Sequence, residues 1–394
     1  MFAKITFVLL IALATRSYSQ STLRMVTVLF RHGARSPATT YPTDPHRDYP
    51  WFGGYQAMTV QGTEQMFELG QHLRSRYGAL IPSNGLYSAE RMYVASSLYE
   101  RCIMSAQALV ASFMVPPDET INILIAWQPV AVNVLSEADD NLIYQSKPCP
   151  KYEELELMFR KNPSEEFREW VKNGTEQLEY ISKHAGMAVD SLRKLALFYD
   201  AIIIESYTGL EHPEWTAPLY PERALSFYSG YMRLMYTPTA ELKRLRGCVI
   251  ISEFLRTMRA KRGGTLDPDR SIFLYSGHDL TLVSLLNSME MLDQVSANPE
   301  YGSAVAFELH QLSSTDFEVR MMYYDNSSVA VPRALIIPNC ANPCMQEDFE
   351  QAMDHLYVED FEQACSVSSA AVRLPFRQGQ KLFTTCECLD SMMF

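Results

Sequence analysis

The run Arg31-His32-Gly33-Ala34-Arg35-Ser36-Pro37 sets one imidazole between two guanidinium groups. Arginine presents a planar fork of donors that matches phosphate oxygens and stays charged at any working pH, so Arg31 and Arg35 are placed to clamp one phosphoryl group from two sides. His32 can then take that group as a covalent nucleophile, splitting one difficult displacement into two easier ones. Gly33 leaves room for the phosphate and permits a sharp exit, and Pro37 discourages continuation as a second strand. A histidine among basic residues is usually an ordinary surface residue. Five fixed identities (Arg, His, Gly, Arg, Pro) at fixed spacing, however, should arise by chance in a chain of this length only about once in ten thousand.

A second group repeats the placement of the first. Ser276-Gly277-His278-Asp279 follows the apolar run Ser271–Tyr275, just as His32 follows Met25–Phe30. Runs of this kind read as strands buried on both faces, and open α/β sheets bind ligands just past the carboxyl ends of such strands. A carboxyl group at Asp279 could protonate a leaving alkoxide, the step a phosphomonoester with a poor leaving group most needs. On its own, an aspartate ahead of the apolar run Leu280–Asn287 is as often a helix N-cap.

The elements that must position these groups follow from periodicity. Gln61–Tyr77 reads as a helix with Met66, Leu69, Leu73 and Tyr77 on one stripe, and Arg101–Met114 as another packed on the sheet. At 394 residues the chain exceeds the usual size of a single core. Both strand motifs fall outside residues 135–243, a stretch richer in helix-like and acidic segments. The expected organisation is an α/β core from residues 20–134 and 244–394 with a helical cap, 135–243, inserted into it.

Residues 1–19 combine Lys4, an apolar stretch and small residues at Ser17 and Ser19, the pattern of a secretory signal peptide. Its removal takes away Lys4 and Arg16, so the formal charge of −12 becomes −14. Nucleic acid and anionic membranes are poor partners for that balance. No later segment carries eighteen uncharged apolar residues, so no membrane anchor is expected. Eight cysteines in a secreted chain read first as disulfide partners, and eight allow 105 pairings. Asn173-Gly174-Thr175 and Asn326-Ser327-Ser328 fit the N-glycosylation pattern. His46, His72, His184, His212, His310 and His355 show no metal-ligand spacing and read as surface or supporting residues, and neither a metal nor another cofactor is expected.

The R-H-G-x-R-x-P signature resembles that of the histidine acid phosphatases, the secreted branch of the phosphoglycerate mutase-like superfamily. The likeness continues through Tyr41-Pro42-Thr43-Asp44-Pro45, Gly62-x-Glu64-Gln65, Glu68-Leu69-Gly70, Arg76-Tyr77, Trp127-Gln128-Pro129 and Tyr275-Ser276-Gly277-His278-Asp279. It implies a three-layer α/β sandwich with a mostly parallel sheet and a helical cap. It also implies His32 as nucleophile, Asp279 as proton donor, and Arg31, Arg35 and His278 as phosphate ligands. Its short bridge maps to Cys340 and Cys344 and its long one to Cys149 and Cys365, leaving Cys102, Cys248, Cys386 and Cys388 unassigned. A homodimer through the strand containing Trp127 is a further implication.

One departure is expected to matter. The family's third phosphate-binding arginine is placed at Ala95, a loss similar to that in an insect venom branch, with Arg91 and Arg101 near enough in sequence to compensate. The leading expectation is a secreted acid phosphomonoesterase working through a phosphohistidine. A phytase-type or lysophosphatidate phosphatase-type enzyme, or a catalytically weakened binding protein on the same scaffold, stands as the alternative.

Overall fold

A computed structural model describes residues 22–117 and 127–367 of the chain. The expected signal peptide, Cys386 and Cys388 lie outside the described residues. The apolar run of the first motif becomes β1 (Leu23–Arg31), and the sheet is completed by β2 (Met92–Ser96), β3 (Asn133–Val134), β4 (Ile272–Gly277), β5 (Ala304–Gln311), β6 (Phe317–Tyr324) and β7 (Arg333–Leu335). Their order is β3-β2-β4-β1-β5-β6-β7. The β3-β2-β4-β1 half is parallel, as the motif reading expects. β5, β6 and β7 extend it in antiparallel fashion.

Successive side chains of a strand point to opposite faces, and β1 shows the result. Met25 and Leu29 join one apolar cluster while Val26, Val28 and Phe30 join the other. On the second face lie α1 (Val60–Tyr77) and α2 (Glu100–Phe113), and the stripe Met66, Leu69, Leu73 and Tyr77 is fully buried there. Thr59 caps α1 by accepting from the Gly62 N–H.

Between β3 and β4 the chain makes only helices: α3 (Pro150–Lys161), α4 (Glu165–Thr175), α5 (Leu178–Ala185), α6 (Leu192–Tyr207), α7 (Glu222–Tyr236), α8 (Ala240–Arg246) and α9 (Cys248–Arg262). α4 to α7 build an apolar cluster of their own around Trp170, Phe198, Tyr199 and Phe227, which Tyr41 joins from the loop after the first motif. α9 belongs to the sheet instead, where Ile250, Phe254 and Met258 share the first face with α10 (Asp279–Ser288) and α11 (Gln346–Met353).

Cys149 is bonded to Cys365, at the end of α12 (Phe361–Cys365), and Cys340 to Cys344. Cys102 is a free, buried thiol. No helix among the described residues is long and apolar enough to cross a membrane.

Candidate active site

The two motifs meet because β1 and β4 are parallel neighbours in register. Arg31 lies opposite Gly277, and the next residue, His32, donates its N–H to the Gly277 carbonyl at 3.0 Å. Gly33 follows for a reason other than the one expected. A Cβ there would fall 2.2 Å from the Gly62 carbonyl oxygen, and one on Gly62 would fall 2.2 Å from that of Ala34. The loop therefore rests backbone to backbone on the first turn of α1, and the close approach, not room for phosphate, is what requires glycine at both positions.

His32 is 2 % exposed. Its Nδ1 lies 2.7 Å from the Gly33 carbonyl, which can only accept, so Nδ1 carries the proton and Nε2 keeps its lone pair. Arg101 Nε donates to that Nε2 at 3.2 Å. Burial first, then the Arg101, Arg31, His278 and Arg35 charges, hold the His32 pKa well below its ordinary value. The ring is thus biased toward its neutral form, the one that keeps the Nε2 lone pair.

Arg31 donates from Nη1 to the Pro299 carbonyl at 2.6 Å, pairs through Nη2 with Asp279 Oδ2 at 2.8 Å, and stacks 4.1 Å from the Tyr301 ring centre. Its buried Nε has no partner. Arg35 forms a two-pronged pair with Asp200 on α6. Burial would raise the Asp279 pKa, but Arg31, Arg35 and His278 outweigh it and hold the carboxyl below its ordinary value. Asp279 begins α10 and its Oδ1 accepts from the Leu280 N–H at 2.8 Å, but it is not the N-cap; that position belongs to His278, whose N–H donates to Thr281 Oγ1.

His278 is enclosed edge-on by the Tyr99 and Tyr144 rings, 5.2 and 5.1 Å away, and Ser97 Oγ sits 2.9 Å from its Nε2. The Cys102 sulfur lies 3.5 Å from the same nitrogen. Burial and Arg101 push the His278 pKa down to about 3. Gln65, from the stretch Gly62-x-Glu64-Gln65, ties the loop to the helices above it: it accepts from the Ala34 N–H at 2.8 Å and donates to the Tyr207 hydroxyl at 2.5 Å. Tyr207 in turn packs edge-on against Tyr301.

The expectation that Ala95 lines a phosphate pocket is not met. Ala95 is 4 % exposed and belongs to the apolar cluster of Leu29, Ile143 and Tyr275. Arg91 is far from the task as well, paired at the surface with Asp269 at 3.5 Å. Arg101 supplies the third guanidinium, because the second residue of α2 points back at the end of β1. Burial and Arg35 lower its pKa, the mark of a cation placed beside other cations. Sequence reasoning had Arg101 in view only as a substitute, and Asp200, Ser97 and Tyr301 not at all. His310, read as a surface or supporting residue, is buried and bonded to Glu308 at 3.0 Å.

A histidine nitrogen among three guanidinium groups, with a carboxyl group held by one of them, is an arrangement suited to phosphoryl transfer. A family model described as histidine phosphatase superfamily (branch 2) matches residues 22–324. The chain belongs to that superfamily. Human lysosomal acid phosphatase is 32 % identical over 352 residues, covering 88 % of this chain and 81 % of that one. Human prostatic acid phosphatase is 30 % identical over 360 residues, covering 90 % and 91 %. Among solved structures, the Citrobacter braakii phytase superposes with a TM-score of 0.63 at 16 % identity, over 88 % of this chain and all of that one. The Hafnia alvei phytase bound to tartrate gives 0.64 at 15 %, covering 88 % and 98 %. At such identities these two relate the fold alone.

Proposed function

We propose that the protein is an acid phosphatase that hydrolyses phosphate monoesters through a phosphohistidine on His32. The observation that carries this reading is the protonation of the His32 ring: Nδ1–H is fixed on Gly33 and the Nε2 lone pair faces Arg101. Arg31, Arg35 and Arg101 receive the phosphoryl oxygens, and the unpartnered Arg31 Nε is a donor ready for one of them. Ser97 Oγ lies on Nε2 of His278 and the Cys102 sulfur lies 3.9 Å from Nδ1, so the ring is oriented from both nitrogens beside the place of the phosphate.

Nε2 attacks phosphorus, the bond to the leaving oxygen breaks, and that oxygen takes the Asp279 proton. Water then attacks the phosphohistidine, gives its proton to the Asp279 carboxylate, and His32 is released with inorganic phosphate. In the resting site Asp279 is held ionised by Arg31. An arriving phosphate dianion takes over Arg31 and adds negative charge nearby, both of which raise the carboxyl pKa and favour its protonation in acid. The weakened binding-protein alternative rests on a missing third arginine, and Arg101 Nε at 3.2 Å from His32 Nε2 supports the enzyme reading over it.

Around this centre, residues 135–243, with the α4–α7 cluster within them, act as a helical cap. Residues 1–19 direct secretion or delivery to an acidic compartment, consistent with relatives named lysosomal acid phosphatase. Asn173 and Asn326 are the glycosylation acceptors. Trp127, 47 % exposed, lies in no strand, contrary to expectation; together with the edge strand β3 that follows it, it forms the face of a homodimer.

Acid quenching during turnover of a labelled phosphomonoester should trap acid-labile phosphate on the native protein and none on His32→Ala. A substituted enzyme that keeps more than about a hundredth of the native rate, a loss below the ~2.7 kcal/mol of two decades, overturns the assignment.

A further inference from the structure

Asp200 lies in neither motif, yet it holds one of the arginines of the site. Its Oδ1 accepts from Arg35 Nη2 at 2.6 Å and its Oδ2 from Nη1 at 3.1 Å, while Oδ2 also accepts from the Ala38 N–H at 2.7 Å. Arg35 Nη1 donates further to the Ser36 carbonyl at 3.1 Å. The carboxylate is 6 % exposed. This pair differs in kind from Arg31–Asp279, a single contact to a group that must change its protonation during turnover. Three hydrogen bonds fix Asp200, and none of them is to a reacting group. Arg35 therefore keeps its carboxylate while a phosphoryl group is bound, and its orientation is set by a helix whose own packing, through Leu195, Phe198, Tyr199 and Ile202, belongs to the α4–α7 cluster.

We propose that Asp200 is a positioning residue for phosphate binding: carried by α6, it aims the Arg35 guanidinium at the phosphoryl oxygens and makes phosphate affinity depend on how the helical insertion seats on the loop after His32. The inference rests on the phosphatase reading of the site, in which Arg35 is a phosphate ligand. Burial would lower the Arg35 pKa, and Asp200 more than offsets it, so the guanidinium stays charged despite its surroundings. A bidentate carboxylate also removes most of the rotamer freedom of a long side chain, so less ordering is left to be lost when a phosphate binds.

The test is a double-mutant cycle on the full chain, read by steady-state kinetics with an aryl phosphate, by vanadate inhibition and by melting temperature. Asp200→Asn should raise KM and the vanadate inhibition constant each by roughly tenfold with kcat changed by less than about threefold, whereas in the Arg35→Ala background it should change each by no more than about twofold. A merely structural role would act alike in both backgrounds, and equal losses overturn the inference while leaving the phosphatase reading intact. An Arg35→Ala protein with native KM and vanadate inhibition overturns both. Should Asp200→Asn fail to fold, Asp200→Glu keeps the charge but moves it by one methylene. Raised KM with unaltered melting temperature supports the assignment, and native KM refutes it.

Discussion

Strand β1 carries a buried ionic constellation at each end. Beyond its carboxyl end stand Arg31, Arg35 and Arg101 with Asp279 and Asp200. Near its amino end, across from Val26, Glu308 accepts from Arg76 Nε at 2.6 Å and from the Tyr77 hydroxyl at 2.8 Å, and it bonds His310, whose other ring nitrogen meets Thr22. In the second cluster Arg76 and Glu308 cancel and both carboxylate oxygens have partners. Its electrostatics are settled: hydrogen bonds from His310 and Arg76 overcome the burial that would raise the Glu308 pKa and push it down to about 2. In the first cluster three guanidinium groups face two carboxylates, one buried N–H lacks a partner, and Arg101, His32 and His278 are all driven toward neutrality. Buried charge that is matched holds a fold together. Buried charge left in surplus is a place for an anion to come.

If that contrast is right, the two ends of β1 should respond oppositely to the same kind of substitution. The largest effect is expected from Asp279→Asn, which should slow alkyl phosphates by roughly two to four decades and nitrophenyl phosphate far less, since that leaving group needs little protonation. Equal losses for the two substrates would reduce Asp279 to an orienting role. Next, Glu308→Gln should leave kcat/KM near native and lower the unfolding free energy by roughly 3 kcal/mol at neutral pH. The pH dependence sharpens this point. A depressed folded pKa stabilises above the unfolded value near 4.5, and that contribution fades as pH falls through the folded value of about 2. Urea titrations from pH 6 to pH 2 should therefore show native and substituted proteins converging in stability toward the acid end.

Arg101→Ala should do the reverse of Glu308→Gln. Losing one charge-assisted contact weakens vanadate inhibition and kcat/KM by about 1.5–3 kcal/mol, one to two decades, while the melting temperature holds or rises because cationic crowding is relieved. A drop in melting temperature without loss of vanadate affinity would place Arg101 with Arg76 as a structural cation. The smallest change is expected at Ser97→Ala, where loss of the hydrogen bond that orients His278 should cost about 1 kcal/mol in kcat/KM, measurable only against a precise native value.

The parts of this design that were legible in sequence are those with a local signature. β1 and β4 announce themselves as apolar runs, α1 by a stripe at helical spacing, and the motifs by the turns that follow each strand. Ala95 shows where that reading fails. Residues six apart differ completely in destination when one faces the apolar side of a strand and the other opens the next helix, and only the strand-to-helix turn of residues 97–99 decides which guanidinium reaches His32. β5 has no such signature because Glu308 and His310 interrupt its apolar run; the partners of Glu308 come from α1, more than two hundred residues away, and His310 is held by Glu308 and Thr22. Asp200 sits mid-helix among apolar neighbours and has no sequence pattern at all; its meaning comes from its contacts to Arg35 and the Ala38 N–H.

The Cys149–Cys365 bridge spans 216 residues and joins the residue before α3 to the last described helix. A protease that nicks an exposed loop between those two cysteines, such as the turn at Gly263–Gly264, would produce two chains still joined covalently. Such a cut would pass unseen on a non-reducing gel and would divide the protein only once the bridge is reduced. In a compartment rich in proteases but poor in thiols, the enzyme can be cleaved without being taken apart.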